Sequence, residues 1–283
     1  MEYVRRKKVF GLFLSSGVIG NSDHTMDRIN AVARILRYKH NYKGYIHLKV
    51  IPGASDAAIE DSISLASAVS LNIETPGKKR FDVLSNRKDY MNDIIRPLKL
   101  MSKLTGQGMR HSRVKCTTQF IVGASDETDS EIIQYMFNLY NRLKFQRVYF
   151  SAYQKGLGHP DIPGERQITL NSEQSFMREH RLYQVDFLVR RYSFNNEDII
   201  LDESGNLRLD KDPKEMWAES HPEFYPVRIN TSDREALFRI PGIGPKTVGM
   251  ILKMRREKRI TRLEDLGIKG RRLEKAKQYV IFE

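Results

Sequence analysis

Five short apolar runs, each followed by a segment long enough for a helix, constrain the fold of this chain more than any other feature. The runs span residues 9–14, 45–51, 69–73, 118–122 and 147–151. Amphipathic spacing predicts helices over residues 26–40, 56–68 and 129–142, and a basic, helical stretch fills 77–115. Strands that alternate with helices form parallel sheets, because the chain crosses back over one face before the next strand. The sequence therefore predicts an α/β fold with a parallel sheet or an open barrel.

Length and cysteine content limit the class of protein. The 283 residues contain no apolar run near the roughly 18 residues that a membrane span needs, and the start is basic without the apolar stretch of a signal peptide. We therefore expect no membrane association and a cytoplasmic location. The single cysteine, Cys116, excludes an internal disulfide and cannot by itself ligate zinc or an iron-sulfur cluster. No metal ligand set is predicted from the sequence.

The positive charge is concentrated near the C-terminus. The chain carries a net charge of +13, and residues 228–283 hold 15 Lys or Arg against 7 Asp or Glu, which is +8 of that total. A basic face in one small unit is typical of a protein that binds a polyanion. The alternative is a solvated helical surface, and charge alone does not decide between them.

A glycine turn between two predicted helices favours the polyanion. Thr231, Ser232 and Asp233 supply caps for a first helix, which Pro241 and Gly242 end. Gly244 and Pro245 then open a second helix. The glycines leave the amides at its N-terminus free to face a phosphate oxygen, and the helix dipole favours that contact. We expect Ile243 to anchor the turn between the helices.

The stretch Pro-Gly-Ile-Gly-Pro-Lys-Thr, residues 241–247, resembles the helix-hairpin-helix motif, and Leu-Gly-Ile-Lys-Gly-Arg-Arg-Leu, residues 266–273, resembles a second, partial copy. The resemblance covers about residues 227–282 and implies sequence-independent binding of the DNA backbone. The residues it assigns to DNA are Gly242, Ile243, Gly244, Lys246, Thr247, Lys269, Gly270 and Arg271. A hairpin used only for packing or for protein contacts stays open as the alternative.

The ends of the predicted strands carry small residues at three places, after residues 14, 51 and 122. Either a ligand bound close to the backbone or a tight turn would explain these small residues. Functional groups of parallel folds gather at this edge of the sheet.

The chain resembles a radical S-adenosylmethionine barrel, whose successive strands correspond to residues 11–18, 44–54, 71–74, 119–124 and 147–151. Almost the whole chain, including residues 178–188 and 217–222, is similar to a branch described as DNA modification or repair proteins of that family, with a helix-hairpin-helix tail.

The resemblance implies an S-adenosylmethionine site at the strand ends. Ser15, Ser16 and Gly17 correspond to the family's contact with the methionyl amine, and Asn72 and Glu74 to its contact with the ribose. Ile121 and Gly123 correspond to the positions that flank the adenine. A carboxylate such as Glu74 suits vicinal hydroxyls, although a capping or surface acid is the plainer interpretation. The sequence alone leaves the roles of His47, Lys49 and the loop 154–175 undecided.

One departure from the family concerns its four-iron, four-sulfur cluster. The family holds this cluster with a Cys-x3-Cys-x2-Cys loop, which is absent here. Without the cluster the chain has no electron source, so we expect it to be inactive alone in radical chemistry. Either a missing N-terminal segment supplies the loop, or the cluster was lost and a partner or a loop of this chain covers the first strand. The alternative function is a non-catalytic DNA-binding protein on a relic α/β scaffold.

The predicted organisation has three parts. Residues 1–195 form a partial, open parallel β/α barrel of the radical S-adenosylmethionine type. Residues 196–226 form a linker and connecting segment. Residues 227–283 form a small all-α domain with tandem helix-hairpin-helix motifs that binds DNA.

Overall fold

The computed structural model of the chain describes residues 2, 9–156, 158–166 and 170–283. The chain divides into two compact units, Met1–Glu179 and His180–Glu283. The sequence predicts a domain end at residue 195, whereas this division falls inside one long helix. The buried residues of that helix, Arg181, Leu182, Val185, Asp186, Leu188 and Tyr192, all follow the division.

The first unit is built on a five-stranded parallel sheet. Its strands, hydrogen-bonded in chain order, are β1 (Gly11–Leu14), β2 (Tyr45–Lys49), β3 (Ala68–Ser70), β4 (Lys115–Val122) and β5 (Arg147–Ala152). The helices are α1 (Ser22–Arg34), α2 (Asp56–Leu65), α3 (Lys78–Leu84), α4 (Arg96–Thr105), α5 (Asp129–Asn141), the short α6 (Pro163–Arg166), and α7 (Ser172–Tyr192), which crosses into the second unit. Single π-helical segments, Ile35–Lys39 and Tyr90–Ile95, adjoin α1 and α4. The predicted α/β fold with a parallel sheet is confirmed.

Helices α1, α2 and α5 begin at side chains that accept hydrogen bonds from free amides. Asn21 accepts from the amide of His24 at the start of α1, and Ser55 accepts from Ala58 at the start of α2. Thr128 and Glu131 form a reciprocal capping box at α5. Such caps satisfy amides that have no acceptor within the helix, and each typically contributes about 1 kcal/mol.

The two faces of the sheet differ. Side chains alternate along a strand, and in β2 the fully buried Ile46 and Leu48 face one side while Tyr45 and Lys49 face the other. Right-handed crossovers between strands in sequential order put their helices on one face, which is the buried one. On the opposite face Phe13 is 59% exposed and Tyr149 is 38% exposed. One face of the sheet is therefore buried, and the other is exposed at its outer strands, whereas Ser70 and Thr117 at the centre of that second face are buried.

Strand β3 is shorter than its apolar run predicts. The regular strand ends at Ser70, and the next pairing is a single bridge from Glu74 to Phe120 of β4. Glu74 has a φ of +66°, which breaks the extended conformation. Asn72 and Glu74, the polar residues that follow β3, therefore lie beyond the regular hydrogen bonding of the strand, at the carboxyl edge of the sheet.

The second unit contains α8 (Pro213–Ser220), α9 (Arg234–Arg239), α10 (Pro245–Met254), α11 (Arg271–Lys277) and the two-residue strands β6 (Val227–Arg228) and β7 (Val280–Ile281). Strands β6 and β7 pair in parallel, so residues more than fifty positions apart are adjacent. The Asn230 side chain donates to the carbonyls of Ile260 and Phe282 and accepts from the amide of Ile260. One side-chain amide thus joins the start, middle and end of this region.

Residues 196–226, predicted as a linker, pack within the second unit. Trp217 is buried, and its indole nitrogen donates to Asp198 over 3.0 Å. The guanidinium of Arg239 lies 3.9 Å from the Phe194 ring centroid and pairs with Asp198 at 2.9 Å. An acidic stretch resembles a linker when its partners lie elsewhere in the chain, and here Arg239 is that partner.

In the described part of the chain, no helix is long and apolar enough to cross a membrane.

Candidate functional site

The turn between α9 and α10 has the form that its glycines and prolines predict. Helix α9 ends at Arg239, and Gly242 takes a φ of +80°, which a residue with a Cβ rarely adopts. Ile243 is 2% exposed, and its amide donates to the carbonyl of Ile240 over 3.2 Å. The isoleucine is buried at the turn, as predicted, so the backbone around it is held in place.

The start of α10 presents amides without acceptors. Gly244 is the N-cap residue and has no side chain to cap the helix, and Pro245 follows at the first helical position. The amides of Gly244, Lys246 and Thr247 make no hydrogen bond to any of the described residues. Such amides, together with the helix dipole, favour an anion at the N-terminus. The exposed side chain of Lys246 adds positive charge at this point.

Gly242 itself faces the protein rather than solvent. A Cβ at this position would lie 2.5 Å from the carbonyl oxygen of Arg272 in α11, which is closer than atoms can approach. The Arg272 guanidinium donates to the carbonyl of Gly242 through two nitrogens, each at 3.1 Å. The predicted DNA role of Gly242 is therefore accompanied by a packing role, because only glycine lets α11 approach the turn.

A cavity of about 340 Å³ lies beside the turn. The cavity is lined by the turn, by charged side chains of α11 and of the start of α8, and by the last residue of α7. These residues are Tyr192, Asp212, Glu215, Pro241, Gly242, Ile243, Gly244, Arg271, Arg272 and Lys275. Lys275 is neutralised by Glu215 at 2.6 Å, whereas Arg271 is exposed and has no ion pair among the described residues. Arg271 is thus a cation of this cavity that is free to meet an anion.

Sequence reasoning missed Lys214, which supports the turn from behind. Lys214 is 6% exposed, and its ammonium donates to the carbonyl of Ile243 over 2.7 Å. The ammonium also lies 4.6 Å from the centroid of the Tyr192 ring. The pKa of Lys214 is lowered to about 7, mainly by burial, with Asp212 opposing this shift and the nearby Arg239 and Arg272 adding to it. A lysine at the second position of an ordinary helix gives no sequence signal for this contact.

The second predicted hairpin copy is more exposed than the first. Gly267 and Gly270 both have positive φ, and Lys269, Gly270 and Arg271, the first residue of α11, are exposed. Arg271 lines the same cavity as Gly242, Ile243 and Gly244, so the structure brings together members of both predicted copies. Lys246 and Lys269 do not line that cavity, and the Thr247 side chain is buried.

In the first unit, a polar cluster lies at the carboxyl edge of the sheet. Lys49 ends β2, and its ammonium donates to the side-chain oxygen of Asn72, which follows β3. The Asn72 amide nitrogen lies 3.5 Å from a carboxylate oxygen of Glu74. Burial raises the pKa of Glu74, and the charge of Lys49 partly offsets this effect. The sequence predicts Asn72 and Glu74 here and leaves Lys49 undecided.

Backbone hydrogen bonds fix Glu74 beside β4. Its amide donates to the Gln119 carbonyl over 3.1 Å, and its carbonyl accepts from the amide of Ile121 over 2.7 Å. The predicted residues Glu74 and Ile121 are therefore direct neighbours. A non-glycine residue in the left-handed region costs of order 1 kcal/mol and persists only where the surroundings impose it.

The backbone of Gly123 is occupied by the protein itself. Its amide donates over 2.6 Å to Glu127, a fully buried carboxylate that also accepts from Ser125. A Cβ on Gly164 would lie 2.6 Å from the Gly123 carbonyl oxygen, so a loop after β5 approaches closely here. The amide of Gly123 is thus used within the protein, and its φ of +86° favours glycine at this strand end.

Ser15, Ser16 and Gly17 follow β1 at the same edge of the sheet. Ser15 and Gly17 are exposed, and a Cβ at Gly17 would have no atom within 4 Å. The Ser16 hydroxyl donates to the Gly17 carbonyl over 2.8 Å. Strand β2 separates these residues from β3, so they share an edge with Asn72 and Glu74 without contacting them among the described hydrogen bonds.

The sheet face that carries Phe13 and Tyr149 also holds polar atoms that the described chain leaves without a hydrogen-bond partner. The imidazole Nε2 of His47 and the Thr117 hydroxyl are buried without a hydrogen-bond partner in the described residues. The ring of His47 packs edge-on against Phe13 with centroids 4.8 Å apart. Burial, followed by the charge of Lys49, lowers the pKa of His47 to about 4, so this imidazole is neutral at pH 7.

Comparison with protein-family models, curated proteins and solved structures finds no match for this chain. The function is therefore inferred from the turn before α10 and from the polar cluster of Lys49, Asn72 and Glu74.

An iron-sulfur cluster does not fit the side chains of this protein. The chain has one cysteine, and Cys116 is buried in β4, where burial raises the pKa of its thiol to about 11. A four-iron cluster held by protein thiolates needs three or four of them. Over the described ranges no three His, Cys, Asp or Glu side chains are grouped to hold a metal ion. We therefore derive no chemical step through a cluster.

Proposed function

We propose that this protein binds DNA through the sugar-phosphate backbone, without reading base sequence, and that residues 227–283 do so as tandem helix-hairpin-helix motifs. The observation that carries the proposal is the start of α10, where the amides of Gly244, Lys246 and Thr247 have no acceptor within the described chain. A phosphate oxygen would supply the missing acceptor and meet the positive end of the helix dipole.

The charges around this helix start support the same ligand. Lys246, Lys269 and Arg271 are exposed, and none of them forms an ion pair with the described residues. Contacts of this kind position a protein on DNA and carry no information on base sequence. A cytoplasmic location belongs to this proposal.

The test measures duplex binding by the full chain with two unrelated sequences, at salt concentrations from about 50 to 200 mM. Lys246→Glu should weaken binding of both duplexes equally and lower the slope of log affinity against log salt by about one or more. The matched control is Lys43→Glu, which changes the same charge at an exposed position in the first unit. Unchanged binding by the Lys246 variant would contradict the proposal.

A second candidate function concerns the carboxyl edge of the sheet. We propose that Asn72 and Glu74 bind the ribose hydroxyls of S-adenosylmethionine, with Ser15, Ser16, Gly17 and Ile121 around the rest of the molecule. The supporting observation is the half-buried Glu74 carboxylate, held in a left-handed backbone conformation beside Asn72. The sequential strand order supports a partial β/α barrel of the radical S-adenosylmethionine type, because doubly wound sheets reverse their order at a switch point.

Calorimetric titration with S-adenosylmethionine distinguishes a DNA modification or repair protein of that type from a non-catalytic DNA-binding protein on a relic scaffold. We expect saturable binding that Glu74→Gln weakens at least about tenfold, which corresponds to about 1.4 kcal/mol for a charged hydrogen bond. Glu60→Gln, an exposed change on α2, should have no effect. Absence of saturable binding would favour the relic scaffold and leave the DNA proposal intact.

A further inference from the structure

A second basic region lies in the first unit, far from the hairpins in sequence. Residues 77–115, which connect β3 to β4 and are called the basic crossover below, hold 11 Lys or Arg against 3 Asp. Their net charge of +8 equals that of residues 228–283. Because the whole chain carries +13, the rest of it sums to −3. The positive charge of the protein therefore lies in two regions of equal strength, and the hairpins account for only one of them.

Most cations of the basic crossover are free. Within the described chain Lys78 pairs with Asp82, Arg80 with Asp126 and Glu131, and Arg96 with Asp56. The remaining eight are exposed and form no ion pair with the described residues, namely Lys79, Arg87, Lys88, Lys99, Lys103, Arg110, Arg113 and Lys115. Unpaired like charges repel one another in the folded state, so this arrangement costs stability unless an anion neutralises them.

Helix α4 orders part of this charge into a stripe. Arg96, Lys99 and Lys103 are exposed at spacings of three and four residues, which places them on one face of the helix. The opposite face is fully buried through Leu98 and Met101. Ten helical residues span about 15 Å, close to the axial rise of four to five base pairs. The exposed Arg110 and Arg113 follow the helix and extend the basic crossover beyond it.

We propose that the basic crossover is a second contact surface for the DNA backbone, formed by the first unit and separate from the turn at Gly242–Thr247. The choice of DNA as the polyanion rests on the proposed function of the hairpins, whereas the surface itself rests on the charges and geometry of α4. A phosphate backbone suits the cations of α4, because this helix has no aromatic or amide side chain that could read bases.

The test neutralises three unpaired cations in the full chain with Lys99→Gln, Lys103→Gln and Arg110→Gln. Glutamine has nearly the same helix propensity as lysine, so α4 should persist, and circular dichroism checks this. If the three side chains contact phosphates, the slope of log affinity against log salt should fall by about 2.7. The control combines Lys39→Gln, Lys43→Gln and Arg142→Gln, three exposed cations of the same unit without ion pairs in the described chain, and should leave the slope unchanged.

The outcomes separate this inference from the hairpin proposal. A slope lowered by at least about 0.9 in the crossover variant, with the control unchanged, supports the second surface whatever Lys246→Glu does. Equal slopes for the crossover variant, the control and the wild type would overturn it, even if Lys246→Glu abolishes binding. If only the crossover variant loses affinity, the hairpin proposal fails and the second surface stands.

Discussion

Lys214 shows how a single residue can influence the proposed DNA-binding turn without facing DNA. Its ammonium is removed from water and compensated by the Ile243 carbonyl and the Tyr192 ring, with Asp212 as an opposing charge nearby. Truncating it would leave that buried carbonyl without its donor, which typically costs about 1–3 kcal/mol. The same burial makes the charged form of Lys214 unfavourable.

This burial predicts a pH dependence of stability. The pKa of Lys214 falls from 10.5 when unfolded to about 7 when folded, so between these values the unfolded chain binds more protons. The contribution of Lys214 to the free energy of unfolding therefore rises as the pH increases from about 7 to 10, and it is constant below about pH 6. Thermal unfolding across this range should show the melting temperature of the wild type rising relative to that of Lys214→Met. Lys258→Met, at an exposed lysine, should run parallel to the wild type, and parallel curves for Lys214→Met would refute the assignment.

Gly242, in the turn before α10, and Gly249, inside α10, differ in whether the structure tolerates a Cβ at their position. Gly242, in the turn, has positive φ and meets the backbone of α11. Gly249 lies inside the helix and is exposed, and a Cβ there would have no atom within 4 Å. Glycine in a helix interior is unfavourable because it loses more conformational freedom than alanine on folding. The turn therefore requires its glycine and the helix does not.

Alanine at the two positions should shift stability in opposite directions. Gly242→Ala should destabilise the second unit by more than about 1 kcal/mol, since a left-handed residue with a Cβ is strained and α11 must move. Gly249→Ala should stabilise it by about 0.5–1 kcal/mol. Urea unfolding of both variants gives the comparison directly. A neutral Gly242→Ala would mean that α11 does not pack against the turn.

At the scale of the whole molecule, the two units carry their charge and their polar groups differently. The first combines a basic crossover with a sheet face whose buried polar atoms have no hydrogen-bond partner in the described chain, and the second combines a basic hairpin region with the acidic residues 198–212. Residues 116–227 hold 18 Asp or Glu against 12 Lys or Arg, so they would repel a phosphate backbone. We thus expect contact with DNA at residues 77–115 and 228–283, whereas the charge of residues 116–227 disfavours it.

Much of the architecture could be predicted from local pattern. The five apolar runs and the periodic helices specify a parallel α/β sheet, because strand and helix periods are set by neighbours along the chain. The glycine and proline residues of 241–245 specify the tight turn and the start of α10 for the same reason. Part of the candidate site follows from these patterns too, since Asn72 and Glu74 lie at the end of the third apolar run.

The remaining features depend on residues that are distant in sequence. Lys214 reaches Ile243 across 29 positions, Gly164 packs against Gly123, and Glu127 accepts from the amide of Gly123, a residue that the family resemblance places beside the adenine. Local pattern is enough to specify the elements, the turn and the placement of charge along the chain. Long-range packing selects which amides stay free, which glycines admit a neighbouring helix and which lysine is buried, because each depends on which surfaces meet after the chain has folded.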